Sequence, residues 1–397
     1  ATSLMVGAGV GAGIMAVPWL AARVGLLGLL VILPIAWAAS ALVHLMLAEV
    51  AFRTGRELQI VELMRCYVFR GRLGRPLLWA VFGLLALAFL ANLAAYVAGA
   101  AEIVATLAGV SPPVAQLAVY LLSAGVVLFG LRGVGLAERF GAALHAECLP
   151  WLHERGVAVL VACVAVLAGG AATAPGATTA AAGPALLVPG ATIADWLALY
   201  GMVMYAYWTF YSVPQVVAGL GTGPRAQRTA ARMLRAGLAV NGLSTGAIGL
   251  IALAVSRPVT PMAATGIAEA VGAWAGTVGS LFILAAFITS YWSVSLALAD
   301  ILRERIALDA RLAWLLATLP SLLLVWSGAL GFLSSLRLAG GATAIVVALI
   351  TLPMYLRARR EGSAEVAWTL GRAGSPPVLA AGLVAVALMA MGSLLAV

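Results

Sequence analysis

Eleven apolar runs, each about as long as a bilayer is thick, limit what this chain can fold into. With about 20 apolar residues needed for one crossing, we predict spans at residues 2–25, 27–48, 76–101, 112–131, 156–172, 193–219, 236–256, 273–299, 312–328, 330–356 and 375–396. Hydrophobic residues make up 64% of the 397 residues and charged residues 9%, a balance that soluble globular domains do not show. The sequence predicts an all-α integral protein of the plasma (inner) membrane, with the lipid bilayer around it.

The loops between these spans alternate between arginine-rich and arginine-poor. The rich loops contain Arg53, Arg56, Arg65, Arg70, Arg72, Arg75, Arg132, Arg139, Arg155, Arg225, Arg228, Arg232, Arg235, Arg303, Arg305, Arg311, Arg357, Arg359, Arg360 and Arg372. Only Arg23, Arg257 and Arg337 fall on the other side. Because cytoplasmic loops carry the excess of positive charge, we predict a cytoplasmic N-terminus and an extracytoplasmic C-terminus. The net charge of +9 therefore belongs to short loops, and we expect no nucleic-acid partner.

The first span is unusually rich in glycine for a helix. It carries Gly7, Gly9, Gly11 and Gly13 ahead of Pro18. Each glycine costs about 1 kcal/mol relative to alanine in a helix interior. Broken backbone at bilayer depth is tolerated only where it is buried in protein or lines a cavity. The first span is therefore predicted to be interrupted at a ligand site.

The chain divides into two halves of five spans. Residues 1–172 hold the first five spans, and residues 193–356 hold the next five. Residues 173–192, rich in Ala, Gly, Thr and Pro, are predicted to be an extracellular connection without strong secondary structure. An odd number of spans per half gives the second half the opposite orientation, which is an inverted repeat. Residues 357–397 add a cytoplasmic loop and the eleventh span.

An inverted repeat predicts that the sixth span is interrupted where the first one is. The run Y-A-Y-W-T-F-Y-S-V-P, from Tyr205 to Pro214, is aromatic and polar instead of aliphatic. Pro214 also lacks a backbone N–H donor. Ordinary aromatic packing beside a proline kink is the other interpretation of this run. The matching break in the first span favours a site.

The order of several motifs resembles a known superfamily. The first span reads G-A-G-V-G-A-G-I-M-A-V-P, the second ends in L-M-L-A-E-V-A-F-R-T-G, the third contains N-L-A-A-Y-V-A-G-A-A-E, and the eighth contains A-F-I-T-S-Y-W-S-V-S-L-A-L-A-D. In this order they resemble the amino acid/polyamine/organocation transporters, most closely the hydroxy and aromatic amino acid permease family. The resemblance implies a LeuT-type fold, a 5+5 inverted repeat with 11 transmembrane helices of which the first and sixth are discontinuous. It also implies that the protein is not an enzyme.

In that fold the broken spans hold the substrate at mid-membrane. The resemblance implies main-chain contacts from Gly9, Gly11, Ala12 and Gly13, whose free N–H groups would face a substrate carboxylate with the helix dipole behind them. Side-chain candidates lie on the third, sixth and eighth spans: Asn92, Tyr96, Tyr205, Tyr207, Trp208, Thr209 and Tyr291. An aromatic lining suits an aromatic or large neutral amino acid. For at least half of these side chains, ordinary packing is the other interpretation.

The resemblance also implies a sodium site. Ala286, Thr289 and Ser290 have the spacing with which LeuT-type carriers supply one carbonyl and two hydroxyls, and Gly7 and Val10 would add two carbonyls. Alternatively, the hydroxyls bond back to their own helix. Proton coupling stays open, because relatives that use protons often carry a lysine on the fifth span and this chain has none. We expect no cofactor beyond the coupling ion, Na⁺ or H⁺.

The segment before the fifth span departs from the family pattern. It carries five groups that can bind zinc, namely His145, Glu147, Cys148, His153 and Glu154, but their spacing matches no standard metal motif. A solvated cytoplasmic turn is the ordinary interpretation, and His153 or Glu147 as a proton carrier is a third. A metal-dependent membrane enzyme is the rival from another functional class.

Arg337 lies inside the tenth predicted span. Ionisable residues within spans are costly and often functional, so Arg337 could latch an outer gate or meet a substrate carboxylate. Alternatively the helix starts later and Arg337 reaches the interface.

The sequence thus predicts a cation-coupled symporter of amino acids, with sodium as the cation, that works by alternating access. A proton-coupled carrier or an exchanger of another small metabolite on the same fold is the alternative. The exact substrate and the oligomeric state do not follow from the sequence.

Overall fold

A computed structural model describes residues 12–129, 185–256, 259–260 and 273–395, and the regular structure in these residues is helical throughout. The helices are α1 (Ala12–Val24), α2 (Leu26–Thr54), α3 (Ile60–Tyr67), α4 (Gly74–Ala108), α5 (Pro112–Val127), α6 (Ile193–Ala206), α7 (Ser212–Leu220), α8 (Pro224–Val255), α9 (Ala273–Ile306), α10 (Ala310–Trp326), α11 (Phe332–Glu361), a 3₁₀ turn (Gly371–Gly374) and α12 (Pro376–Leu394).

These helices follow the predicted spans. Each predicted span overlaps one helix among the described residues, apart from the fifth, which lies outside them, and the sixth, which overlaps α6 and α7. Only the part of the first span from Ala12 onward is described. Six helices among the described residues are long and apolar enough to cross a membrane, namely α2, α4, α8, α9, α11 and α12. Helices α1, α5, α6 and α10 are apolar and shorter. The all-helical membrane fold is therefore confirmed.

Helix α3 lies in the loop that the sequence marks only as arginine-rich. Its carboxylate Glu62 is buried and pairs with Arg65 one turn along and with Arg305 at the end of α9, 3.3 Å away. This short amphipathic helix therefore packs against the neighbouring helices, and its buried carboxylate joins it to Arg305 of α9.

Local chemistry fixes where several helices begin and end. Helix α6 begins with a capping box, in which Thr192 Oγ1 accepts from the Asp195 N–H at 3.2 Å and Asp195 Oδ2 accepts from the Thr192 N–H at 2.9 Å. These bonds satisfy donors that have no partner inside the helix. Asp309 caps α10 with Oδ1, which accepts from the N–H groups of Arg311 and Leu312 at 2.9 and 3.1 Å. Helix α2 ends at Gly55, whose φ of 66° allows the left-handed cap.

The residues just before α6 contact the turn between α1 and α2. Leu26 and Leu27 donate to the carbonyls of Ala185 and Leu186 at 3.0 Å, and Val188 donates back to Val24 at 3.1 Å. Residues 185–192 contain no helix or strand. The contact holds the end of α1 beside the start of α6.

Candidate functional site

The sixth span is broken. Helix α6 ends at Ala206 and α7 begins at Ser212, and the residues between them are not α-helical. The predicted interruption is therefore confirmed. Pro214 lies in the first turn of α7, where a missing N–H removes no helical bond. The predicted interruption of the first span precedes Ala12 and lies outside the described residues.

Side chains from two other helices donate hydrogen bonds to carbonyls of the break. Asn241 of α8 donates from Nδ2 to the Ala206 carbonyl at 3.0 Å. Ser40 of α2 donates from Oγ to the Tyr207 carbonyl at 2.9 Å. A buried main-chain group without a partner is costly, and more so in a membrane. The break is therefore a built feature of the fold.

A buried histidine binds the next residues of the break. Nε2 of His44, in α2, lies 3.1 Å from the Thr209 backbone nitrogen, which donates to it, and 3.0 Å from Thr209 Oγ1. Nδ1 lies 2.7 Å from the Ser40 carbonyl. The Trp208 indole meets the imidazole edge-on, with the ring centroids 6.2 Å apart. Both His44 and Thr209 are almost fully buried.

Three residues of this arrangement were missed by the sequence reasoning: Ser40, His44 and Asn241. Each is a polar residue on an apolar span, and His44 is ionisable. An ionisable residue inside a span indicates function by default, and that signal could have identified His44. Nothing in the sequence indicates that these helices pack against the break.

The structure joins candidates from the third, sixth and eighth spans. Tyr205 donates from its hydroxyl to Asn92 Oδ1 at 2.6 Å. The Tyr96 hydroxyl shares hydrogen bonds with Asn92, Tyr205 and Ser290, and its ring lies 6.1 Å from that of Phe287. This polar cluster is buried next to the end of α6.

Two glycines hold the Tyr205 ring between them. A Cβ on Gly13 would lie 2.8 Å from Ala206 Cα and 3.0 Å from Tyr205 Cδ1. A Cβ on Gly340, in α11, would lie 2.9 Å from Cδ2 on the opposite edge of the ring. Only glycine permits this approach of α1 and α11 to the break. Of the predicted main-chain contacts, Ala12 is the first residue of α1, and Gly9 and Gly11 lie outside the described residues.

The remaining aromatic candidates divide between two places. Tyr207 and Trp208 are buried in the break, and the Trp208 indole N–H has no hydrogen-bond partner among the described residues. Tyr291 is directed elsewhere: its hydroxyl lies 3.3 Å from Ser321 Oγ of α10. The structure therefore does not join Tyr291 to the cluster around Asn92.

The three predicted sodium ligands of the eighth span share one buried turn of α9. Thr289 Oγ1 donates to the Ala286 carbonyl at 3.1 Å, which is the bond within the helix that the alternative interpretation expects. Ser290 hydrogen-bonds with Tyr96. The other two predicted ligands, Gly7 and Val10, lie outside the described residues.

Arg337 lines a small cavity of about 50 Å³ between α1, α6, α11 and α12, together with Trp19, Tyr205, Leu336 and Ser393. Within the described ranges it has no ion pair. The predicted gate residue therefore shares a cavity with the tyrosine that bonds Asn92.

The segment His145–Glu154 lies outside the described residues. In the part of the chain that the structure describes, no cluster of His, Cys, Asp or Glu could hold a metal ion.

Residues 1–142 match the tryptophan/tyrosine permease family. This match, over the first 142 residues, agrees with the resemblance that the sequence motifs carry. No curated protein matches this sequence.

Solved structures share the fold. The chain is similar to Mhp1, a nucleobase-cation-symport-1 family transporter in a closed conformation with bromovinylhydantoin bound, with 15% identity, 99% of this chain and 90% of that chain covered, and a TM-score of 0.63. It is also similar to a manganese transporter of Eremococcus coleocola, solved with an aromatic bis-isothiourea substituted compound, with 14% identity, 99% and 84% covered, and a TM-score of 0.62. The chain has a LeuT-type fold, and the two comparisons together indicate a non-enzymatic transporter.

This transporter combines two features that a small-molecule site needs. First, the carbonyls of its broken span accept hydrogen bonds from side chains of α2 and α8. Second, a cluster of hydroxyl and amide groups with aromatic rings lies beside the break. Convergent polar groups in an otherwise apolar pocket are typical of ligand sites.

Proposed function

We propose that the protein is a cation-coupled symporter of amino acids, with Na⁺ as the cation and an aromatic or large neutral amino acid as the substrate. The observation that carries this proposal is the break of the sixth span, with Tyr205 held beside it by Gly13 and bonded to Asn92. Interrupted membrane helices supply the main-chain groups that bind zwitterions in transporters built from inverted repeats.

In this proposal the substrate carboxylate binds the N–H groups around Gly11, Ala12 and Gly13, at the start of the outer part of the first span, with Gly9 as a further main-chain contact. The substrate side chain lies against the aromatic rings of Tyr96, Tyr205, Tyr207 and Trp208, with Thr209, Asn92 and Tyr291 as the other candidates. The buried indole N–H of Trp208 is a donor available to a ligand. Arg337, in the cavity on the other side of Tyr205, is the proposed gate residue.

The coupling ion binds the hydroxyls of Thr289 and Ser290 and the carbonyl of Ala286, with Gly7 and Val10 supplying the carbonyls from the first span. Thr289 and Ala286 already lie within hydrogen-bond distance of each other, so both oxygens can face one ion. Ion and substrate stabilise the same closed state, and this shared preference couples their fluxes. A proton-coupled carrier or an exchanger of another small metabolite is the second candidate.

The two halves, residues 1–172 and 193–356, form the inverted repeat in this proposal, with residues 173–192 outside the cell and residues 357–397 as the appended loop and helix. The N-terminus is cytoplasmic and the C-terminus extracytoplasmic, in the inner membrane.

The test is uptake of labelled tryptophan by purified protein in liposomes, with sodium and proton gradients imposed separately. We expect the sodium gradient to drive accumulation. Thr289→Val should raise the half-saturating sodium concentration by about tenfold, which corresponds to the loss of about 1.4 kcal/mol of binding. Ser295→Ala is the matched control on the same helix, because Ser295 Oγ bonds only to carbonyls of its own helix. Uptake that ignores sodium and follows the proton gradient would select the second candidate.

A further inference from the structure

The hydrogen bonds of His44 fix its protonation state in this conformation. A carbonyl only accepts, so Nδ1 at 2.7 Å from the Ser40 carbonyl must carry a hydrogen. A backbone N–H only donates, so Nε2 at 3.1 Å from the Thr209 nitrogen must be unprotonated. His44 is therefore the neutral Nδ1–H tautomer while it binds the break.

Protonation of Nε2 would reverse this contact. Nε2 would then present a hydrogen toward the Thr209 N–H, so two donors would face each other and the bond would be lost. Thr209 Oγ1, 3.0 Å from Nε2, is a hydroxyl that can accept from the protonated ring. The Thr209 N–H would keep only its second acceptor, the Tyr207 carbonyl at 3.1 Å.

From this geometry we infer that Nε2 of His44 is a proton-binding site, and that the bound proton releases the Thr209 N–H and loosens the break. The inference rests on the proposed function only where it concerns transport. Proton binding at Nε2 and the present conformation of the break compete. A ligand that favours one conformation therefore changes the proton affinity of His44, and the proton changes the affinity for that ligand by the same factor.

Among the residues that the structure describes, no charged side chain bonds to this ring. The titratable groups on the elements that pack against α2, and on α2 itself, are Arg23, Glu49, Arg53, Glu62, Arg65, Cys66, Tyr67, Asp195, Tyr200, Tyr205, Tyr207, Tyr211, Arg225, Arg228, Arg232, Arg235, Arg337, Tyr355, Arg357, Arg359, Arg360 and Glu361. Within the described ranges, the hydrogen bonds and the ring contact of His44 are with Ser40, Trp208 and Thr209, all of them uncharged. A buried charge without a partner is costly, so protonation of the ring favours rearrangement of its contacts.

The first test needs no substrate. Hydrogen–deuterium exchange of the peptide that contains Thr209 is measured between pH 5 and 8 and corrected for the intrinsic rate. In the unsubstituted protein we expect exchange to accelerate as the pH falls, by up to about tenfold per pH unit, the slope for one proton. His44→Gln supplies an amide oxygen that accepts from Thr209 and takes up no proton near neutral pH, so this dependence should disappear.

Ser40→Ala is the control for simple loosening of the break. It removes the bond to the Tyr207 carbonyl, so it should raise exchange at every pH and leave the pH slope intact. A His44→Gln protein with the same slope as the unsubstituted protein, or an unsubstituted protein with no slope, would overturn the inference.

The second readout is the pH profile of tryptophan uptake in liposomes with equal pH on both sides. We expect the profile to flatten in His44→Gln and to persist in Ser40→Ala. Absence of tryptophan uptake at every gradient counts against the proposed function alone, because the exchange experiment still reports on His44. An unchanged pH profile in His44→Gln contradicts the inference even where uptake is normal.

Discussion

At the scale of single residues, the tight packing of Tyr205 between two glycines makes a sharp prediction. Gly340→Ala places a methyl group 2.9 Å from Tyr205 Cδ2, and Gly13 at the other edge of the ring leaves little room for the ring to move away. We expect a loss of about 1–3 kcal/mol of stability, as for other overpacked cores. The displaced Tyr205 hydroxyl should also lose its 2.6 Å hydrogen bond to Asn92 Oδ1. We expect tryptophan uptake to fall as a result.

The neighbouring glycine gives the matched control. A Cβ on Gly341 would lie 3.2 Å from Cδ2 of Leu394, the end of a flexible side chain. Gly341→Ala should therefore melt close to the unsubstituted protein in a thermal unfolding assay and keep its uptake. Equal melting temperatures and equal uptake for the two variants would show that Tyr205 is free to move.

The site residues were predictable from the sequence where chemistry alone marks them. Asn92, Tyr96 and Tyr205 are polar or aromatic residues in apolar spans, and the structure joins them. Tyr291 looks the same in the sequence but faces Ser321. A single span does not reveal which neighbour each of its faces meets, and this missing information also hid the role of His44.

At the scale of elements, the break of the sixth span depends on donors from other helices. Ser40→Ala leaves the Tyr207 carbonyl without the side-chain donor that lies 2.9 Å away. The carbonyl keeps the Thr209 N–H, 3.1 Å away, as its donor. We therefore expect a loss of about 0.5–1.5 kcal/mol in the free energy of unfolding, the net contribution of one hydrogen bond. Thermal or denaturant unfolding in detergent measures it.

Ser295→Ala is the same substitution at an equally buried serine of α9. Its hydroxyl bonds only to Tyr291 and Trp292 of its own helix, and such bonds add little to helix stability. The stability of this variant should differ little from that of the unsubstituted protein. A loss as large as that of Ser40→Ala would mean that the break needs no donor from α2.

Element positions were predictable because apolar length and helix ends are local properties. The break was also predictable, because Tyr205 to Pro214 departs from the aliphatic pattern. Helix α3 was not, because an amphipathic segment of eight residues is too short for its periodicity to stand out. Its helix is stabilised by tertiary contacts such as Glu62 with Arg305, which the sequence does not reveal.

At the scale of the whole molecule, the loop after α11 ties three helices together. Glu49 of α2 accepts from the Leu370 N–H at 2.8 Å and from the Tyr355 hydroxyl of α11 at 3.1 Å. Gln227 of α8 accepts from the Ala367 N–H at 2.8 Å. We call residues 362–374 the strap. Rocking of one helix group against another must either carry the strap along or break these bonds.

The strap bond to Glu49 can be tested by removing its charge. Glu49→Gln weakens the charge-assisted bonds to Arg53, 2.7 Å away, and to the strap, and bonds of this kind contribute about 1.5–3 kcal/mol. Arg372 is exposed within the strap, so trypsin reports local opening. We expect cleavage after Arg372 to accelerate by about fivefold or more, because a loss of about 1 kcal/mol in local stability raises the open population by that factor.

The control is Glu365→Gln, within the strap itself. The Glu365 side chain is exposed, and its backbone carbonyl, which the substitution keeps, accepts from Gln227 at 3.2 Å. Equal cleavage rates for the two variants, measured by mass spectrometry of the fragments, would show that Glu49 does not hold the strap to α2.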